Sequence, residues 1–264
     1  MTPGVPRRDA VVPILRLAGI RKTYGAVEAL KGIDLEIHAG EIVAVCGDNG
    51  AGKSTLVKIA SGALNPTAGA IEFEGKSVAF ASPLEALRAG VATIYQDLAL
   101  AARLPVWQNV FVGAERMRPA LPGLHLLDKR KMRAETLRYF ARLKIDIPDP
   151  NRRVELLSGG QRQAVAIARA LHWEARVVIM DEPTAALGVA ESGRVLDLIR
   201  QLRQDGGAIL LVSHNMADVV ALATRAVVLK AGRKIFDDSI GRLTADDLGH
   251  IVMMGQGPTP FSRA

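Results

Sequence analysis

The sequence predicts an α/β fold in which a parallel-sheet core is interrupted by a helical segment. Three observations predict it. Residues 42–46 form an apolar, β-branched run that leads through a glycine-rich loop into a helical pattern. Strand-like and helical runs alternate on either side of the chain's middle. Between them, residues 97–176 consist of helix formers broken by Pro105, Pro119, Pro122, Pro148 and Pro150.

The elements follow in order. Residues 14–18 and 33–37 read as strands, and His38-Ala39-Gly40-Glu41 turns the chain into the next one. Residues 42–46, almost wholly apolar, suit a strand buried on both faces. Residues 53–63 read as a helix, with Leu56, Ile59 and Ala60 on one face. Strands at 70–73 and 91–95 flank a helix at 83–89. Strands return at 177–180, 208–212 and 226–229, with a helix at 191–204. The Pro- and Gly-rich ends, residues 1–12 and 256–264, read as flexible tails. That leaves one domain at 13–255, with its core at about 13–96 and 177–240 and a helical subdomain at about 97–176. No internal repeat is visible.

Composition narrows the class. With 49% hydrophobic and 23% charged residues in 264, the chain can bury a real core and is not globally disordered. Its longest apolar runs, 208–212 and 219–229 (the latter containing Arg225), fall short of the ~20 residues a membrane span needs. The start of the chain lacks the apolar stretch of a signal peptide. The single cysteine, Cys46, cannot form an internal disulfide and, inside a buried strand, reads as a small hydrophobe; this fits a reducing cytosol. The net charge of +7 is spread along the chain. Its densest cluster, at 129–133, reads first as a solvated helix surface and second as a face near phosphates or lipid headgroups.

Two motifs carry chemistry. Gly47-Asp48-Asn49-Gly50-Ala51-Gly52-Lys53-Ser54-Thr55 fits G-x-x-x-x-G-K-[ST] between a buried strand and an amphipathic helix. Its glycines let backbone N–H groups approach phosphate oxygens, and the helix adds its positive end. Lys53 can reach the β- and γ-phosphates, and Ser54 can ligate Mg²⁺. The loop therefore predicts a bound nucleoside triphosphate. Further on, Leu157-Ser158-Gly159-Gly160-Gln161 opens a helix whose apolar face carries Ala164, Ile167, Ala168 and Leu171. Ser158 is a natural N-cap, and the glycine pair exposes a second set of N–H groups. The strand at 177–180 ends in Asp181-Glu182-Pro183-Thr184, where a metal-holding carboxylate and a water-activating base belong.

Together with His214 after the strand at 208–212, these motifs resemble the ABC-type ATPases over about residues 14–237. The resemblance implies a RecA-like P-loop NTPase core with an antiparallel β piece and an inserted helical subdomain carrying the signature Ser158–Gln161. It implies ATP and Mg²⁺ as ligands. It also implies that two such domains meet head to tail, one domain's loop and the other's signature enclosing one ATP. Carried over residue by residue, the resemblance implies that Tyr24 stacks on adenine and that Gln96 contacts Mg²⁺ and the attacking water. Asp181 holds Mg²⁺ through water, Glu182 polarises the hydrolytic water, and His214 touches the γ-phosphate. One departure stands out: Ala185-Ala186-Leu187-Gly188 lacks the Asp that usually ends this loop and reaches across the dimer.

Longer stretches (Tyr95-Gln96-Asp97-Leu98, Leu126-Leu127-Asp128-Lys129, Arg162-Gln163-Ala164-Val165-Ala166, and residues 183–189) resemble the ATP-binding subunits of bacterial sugar importers of the ribose/xylose/fructose type. Many members fuse two such domains; one is present here, which favours a homodimer. The resemblance implies transmembrane permease subunits as partners and, indirectly, a substrate-binding protein, at the cytoplasmic face of the inner membrane and without nucleic acid. It places the groove for a permease coupling helix near 99–112, where Leu104, Val106, Trp107, Val110 and Phe111 either line that groove or pack the helical subdomain. The alternatives are an importer for another small solute or a non-transport ABC ATPase. A DNA-repair type would carry sustained heptads between Lys53 and Ser158, and none occur. A translation factor would carry tandem domains.

Overall fold

In the computed structural model, which describes residues 12–147, 149–241 and 243–255, the chain order is β1 (Leu15–Tyr24), β2 (Val27–Ile37), β3 (Ile42–Cys46), α1 (Lys53–Ala60), β4 (Ala68–Phe73), β5 (Lys76–Val78), α2 (Pro83–Ala89) and β6 (Val91–Ile94). It continues with α3 (Val106–Phe111), β7 (Met117–Leu121), β8 (Leu124–Leu127), α4 (Lys129–Arg142) and α5 (Gly159–His172). The last third holds β9 (Val177–Asp181), α6 (Val189–Gln204), β10 (Ala208–Val212), α7 (Met216–Leu222), β11 (Arg225–Lys230), β12 (Arg233–Ser239) and α8 (Ala245–Met254). The tails expected to be flexible, residues 1–12 and 256–264, lie outside the described residues except for Val12. No helix among the described residues is long and apolar enough to cross a membrane.

The main sheet runs β12-β11-β3-β10-β9-β6, and its strands are parallel except β12. A second, wholly antiparallel sheet runs β2-β1-β4-β5. Strand β3 shows why the two pack together. Successive side chains of a strand point to opposite faces, and all five residues of β3 are buried. Ile42, Ala44 and Cys46 enter the core shared with the helices, whereas Val43 and Val45 enter the core against the antiparallel sheet and α1. Burial pushes the Cys46 thiol up to about 12, with Glu182 adding to the rise and Lys53 opposing it. We expect Cys46 to resist iodoacetamide at pH 8 in the native chain and to react once the chain is unfolded, as counted by mass spectrometry.

The inserted segment departs from the all-helical expectation. It contains a two-stranded ribbon, β7–β8, every residue of which is exposed. With neither face buried, the ribbon lacks the apolar alternation that marks a strand in sequence. Beyond residue 229, β12 and α8 close the far edge of the core; Lys230, Arg233, Lys234, Asp237 and Asp238 hide them behind charge. The strand β1 extends to Tyr24, and β2 begins at Val27, both longer than expected.

The segment at 99–112, expected either to line a permease groove or to pack the helical subdomain, is exposed in its first half and buried along α3. Val106, Trp107, Val110 and Phe111 are buried on α3, which packs against α4 and α5, whereas Ala99, Ala101, Ala102, Arg103, Leu104 and Val112 stay on the surface. The Phe111 ring meets the His172 ring at 4.0 Å between centroids. His172 Nε2 lies 3.2 Å from the Ala114 carbonyl, an acceptor, so that nitrogen carries the proton. Its Nδ1 then accepts from the Tyr139 hydroxyl at 3.2 Å. Burial holds His172 below the ordinary histidine range, which favours this neutral, fully partnered form.

Candidate nucleotide site

The parallel strands β6, β9, β10 and β3 lie side by side, so the turns leaving their carboxyl ends share one sheet edge. The loop after β3 begins at Gly47, with φ +147°, where a Cβ would collide with the Leu229 backbone carbonyl of β11. It ends at Gly52, φ +109°, where a Cβ would meet the Leu30 side chain and the Ala29 carbonyl of β2. These two glycines let the loop lie against β11 and β2. Asn49 and Gly50 are exposed between them, and Ala51 is buried. Helix α1 then starts with no side-chain cap on its first turn. Its free N–H groups are the donors that an anion can satisfy. Lys53 Nζ donates to the Gly47 carbonyl at 2.6 Å and the Asp48 carbonyl at 3.0 Å, folding back over the loop. Ser54 is exposed beside it, and Thr55 is half-buried.

Asp181 closes β9 in register with Val212 of β10. Glu182 follows with φ +53°, a left-handed conformation uncommon for a residue with a side chain. Its N–H donates to the Val212 carbonyl, and its Oε2 lies 2.7 Å from His214 Nδ1. Glu182 is largely buried, whereas the His214 side chain is 73% exposed. The structure thus joins the ends of β9 and β10 through the two residues singled out in sequence. Burial, then the Glu182 carboxylate, raises the Asp181 carboxyl above the ordinary range, against the opposing pull of Lys53 and Lys58. A carboxylic acid with a raised folded pKa loses stability as pH climbs from its unfolded value of 3.8 through its folded one. We therefore expect Asp181→Asn to raise the melting temperature of the nucleotide-free chain at pH 7, and the gain to vanish in acid, by calorimetry at several pH values.

Other predicted residues are placed less directly. Tyr24, 48% exposed, faces Val27 across the β1–β2 hairpin, with Lys22 Nζ 5.5 Å from its ring centre. The same β2 strand touches the phosphate loop through Ala29 and Leu30, so this exposed aromatic belongs to a hairpin anchored at the loop. Gln96 is exposed two residues beyond β6. Strand β6 pairs directly with β9, Ile94 opposite Met180, and no hydrogen bond joins Gln96 to Glu182 or His214 among the described residues.

The signature lies elsewhere on the chain. Ser158 caps α5, accepting from the Gln161 N–H at 3.3 Å, while Gln161 Oε1 accepts from the Ser158 N–H at 3.1 Å. Ser158, Gly160 and Gln161 line a cleft of about 550 Å³ with residues of α6 and of the segment after α4, and no phosphate-loop residue borders it. A Cβ on Gly159 would come within 2.5 Å of Leu187 Cδ2. The loop after Glu182 is thus packed onto the signature helix.

Sequence reasoning missed the residues that hold the His214 turn. Asn215 caps α7 through the N–H groups of Ala217 and Asp218, and its own N–H donates to the buried Ser213 hydroxyl at 3.0 Å. Thr184 Oγ1 donates to Asp218 Oδ2 at 2.7 Å, tying the turn after β9 to α7. An Asn ahead of an apolar helical run was a readable cap signal; the Thr184–Asp218 contact, between separate elements, had none. Among the described residues, no group of three or more His, Cys, Asp or Glu side chains could hold a metal ion by itself.

A family model described as ABC transporter matches residues 30–185. The xylose/arabinose import ATP-binding protein XylG of Sulfolobus acidocaldarius is 48% identical over 223 residues, covering 84% of this chain and 87% of that protein. The fructose import ATP-binding protein FrcA of Rhizobium meliloti is 47% identical over 226 residues, again 84% of this chain and 87% of its own. Among solved structures, a dimeric ATP-binding cassette in a post-hydrolysis state with ADP and Pi superposes with a TM-score of 0.71 at 25% identity, covering 86% of this chain and 98% of that one.

Proposed function

The chain belongs to the ABC transporter family and is an ATPase of that family; from that premise we propose that it energises import of a sugar through partner transmembrane subunits. The observation that carries the reading is the shared sheet edge holding the phosphate loop, Asp181, Glu182 and His214. The sugar is supported by the two relatives named for xylose/arabinose and fructose import.

In this reading, ATP enters the loop and Lys53 exchanges the Gly47 and Asp48 carbonyls for β- and γ-phosphate oxygens. The uncapped N–H groups of α1 and those of Gly50 and Gly52 hold the phosphates, with Thr55 beside them and Ala51, whose N–H donates to the Asp48 carbonyl, shaping the loop. Asn49 stands at the open side of the loop, and Tyr24 offers its exposed ring to the base. Mg²⁺ fits here: the Ser54 hydroxyl is exposed and makes no hydrogen bond among the described residues, and Asp181 and Glu182 place two acids at the end of β9 beside the loop's sheet edge. Bound there, Mg²⁺ would neutralise charge on the phosphates. Glu182 accepts the proton of the attacking water, and His214 holds the Glu182 carboxylate in place through the 2.7 Å contact. Gln96, two residues beyond β6 and beside the end of β9, would contact Mg²⁺ and the attacking water and link the helical subdomain to the nucleotide.

The cleft at Ser158, Gly160 and Gln161 holds no residue of the chain's own phosphate loop, which supports the signature Ser158, Gly159, Gly160 and Gln161 facing a partner's. The working unit is then a homodimer with two shared sites, as the dimeric relative structure supports. The domain would divide into the core at 13–96 and 177–240 and the subdomain at 97–176, acting at the cytoplasmic membrane face. Reconstitution with permease and binding proteins from the same organism tests the reading. A sugar among xylose, arabinose, fructose and ribose should raise ATP turnover. No response to any sugar, with a response to a different solute, would replace it with the other-solute reading.

A further inference from the structure

The chain's densest group of cations lies around one ribbon. From Arg116 to Arg133 there are six cations (Arg116, Arg118, Lys129, Arg130, Lys131 and Arg133) and one acid, Asp128, with Glu115 and Glu135 at the flanks. Arg116 pairs with Glu135, and Arg133 lies over the Trp107 ring. Arg118, Lys129, Arg130 and Lys131 are exposed and make no ion pair among the described residues. They surround the β7–β8 ribbon, which the ATPase reading leaves unused.

The ribbon carries exposed apolar side chains at its tip and on both faces. Met117, Leu121, Leu124, Leu126 and Leu127 are each between 37% and 66% exposed. Leu121 and Leu124 pair directly across the Pro122-Gly123 turn, with Gly123 at φ +78°. Pro at the first central position and a left-handed Gly at the second make a stiff type II turn. The tip is therefore a rigid leucine pair. Leu126 and Leu127 are neighbours in one strand and so point to opposite faces. Pro119, followed by a register shift, blunts β7 against pairing with a further strand. A protein partner would cover one face of so narrow a ribbon. A lipid interface surrounds both faces at once and supplies phosphates to the cations at its base.

We infer that the β7–β8 ribbon is a membrane-surface anchor: Leu121 and Leu124 enter the acyl boundary of an anionic phospholipid leaflet while Arg118, Lys129, Arg130 and Lys131 bind headgroup phosphates. This goes beyond the transport reading, because it requires no permease. The site lies outside the nucleotide machinery, so its loss leaves ATP chemistry intact.

Sedimentation of the full chain with vesicles tests it. Vesicles of phosphatidylcholine mixed with phosphatidylglycerol should carry the chain down, pure phosphatidylcholine should not, and raised salt should release it. Leu121→Ser with Leu124→Ser should weaken the partition about tenfold per leucine. Arg118→Gln, Lys129→Gln and Arg130→Gln together should weaken it about a hundredfold, roughly fivefold per cation. Both variants alter exposed side chains only and should keep the parent's melting temperature and basal ATPase rate. No binding to anionic vesicles, equal binding to neutral ones, or binding that survives both variants would each overturn the inference. So would variants that lose capture by purified transmembrane subunits while the parent ignores vesicles, which would make the ribbon a protein contact. Loss of sugar-stimulated turnover in the reconstituted system alone would bear on the transport reading and not on this one.

Discussion

Glu182→Gln is expected to lower the ATP turnover number by about 10²–10⁴-fold, the range that a positioned general base contributes, while leaving ATP affinity within a few-fold of the parent. The substitution keeps the size and shape of the side chain, so an acceptor oxygen can still meet His214 Nδ1 at the 2.7 Å contact. What it removes is the ability to take a proton from water. The effect therefore falls on the chemical step, with nucleotide binding carried by the loop after β3. The same variant mixed with Mg·ATP should accumulate as a dimer on size-exclusion chromatography, in detergent with its transmembrane partners, because the enclosed nucleotide is no longer cleaved. His214→Ala leaves the carboxylate in place without its partner and should cost less than Glu182→Gln. Retention of turnover within tenfold by Glu182→Gln would move the base to another residue.

Phe111→Ala is expected to destabilise the chain by about 3–5 kcal/mol, the usual cost of emptying a fully buried phenylalanine site. At about 2–4 °C per kcal/mol for a chain of this size, the melting temperature should fall by roughly 6–20 °C. Phe111 is fully buried where α3 packs on α4 and α5, and its ring supports His172, which in turn orders the Tyr139 hydroxyl and the Ala114 carbonyl. Losing it removes packing and loosens a polar network together. The measurement also separates the two readings of segment 99–112. A docking residue would keep its melting temperature and lose only stimulation by partners; a core residue loses the melting temperature first.

The contrast shows what sequence can and cannot carry. The run at 42–46 is legible because burial on both faces leaves no polar position, and the loop from Gly47 to Thr55 because its close approach to β11 and β2 demands glycines at Gly47 and Gly52. Asp181, Glu182 and His214 are legible as chargeable residues directly after apolar strands, and the structure brings Glu182 and His214 into contact. Phe111 and Trp107 are not legible in the same way, because an apolar residue reads alike whether its cover is the chain's own α5 or another protein. The β7–β8 ribbon escaped because nothing in it is buried, so no periodicity was imposed on it. Thr184 and Asp218 escaped because their contact joins elements 34 residues apart, and single-chain patterns record only local neighbours.

The neighbours of β3 have a consequence for how the protein comes into being. β3 pairs with β10 through Ile42 and Ile209, and with β11 through Val43 and Arg225. Both partners leave the ribosome more than 160 residues after β3 does. Until then, the strand that carries the phosphate loop has two bare edges, and Gly47 has no Leu229 carbonyl to lie against. Contacts of such long sequence separation form late. The nascent chain thus displays the loop's full motif long before β10 and β11 can complete the sheet around it.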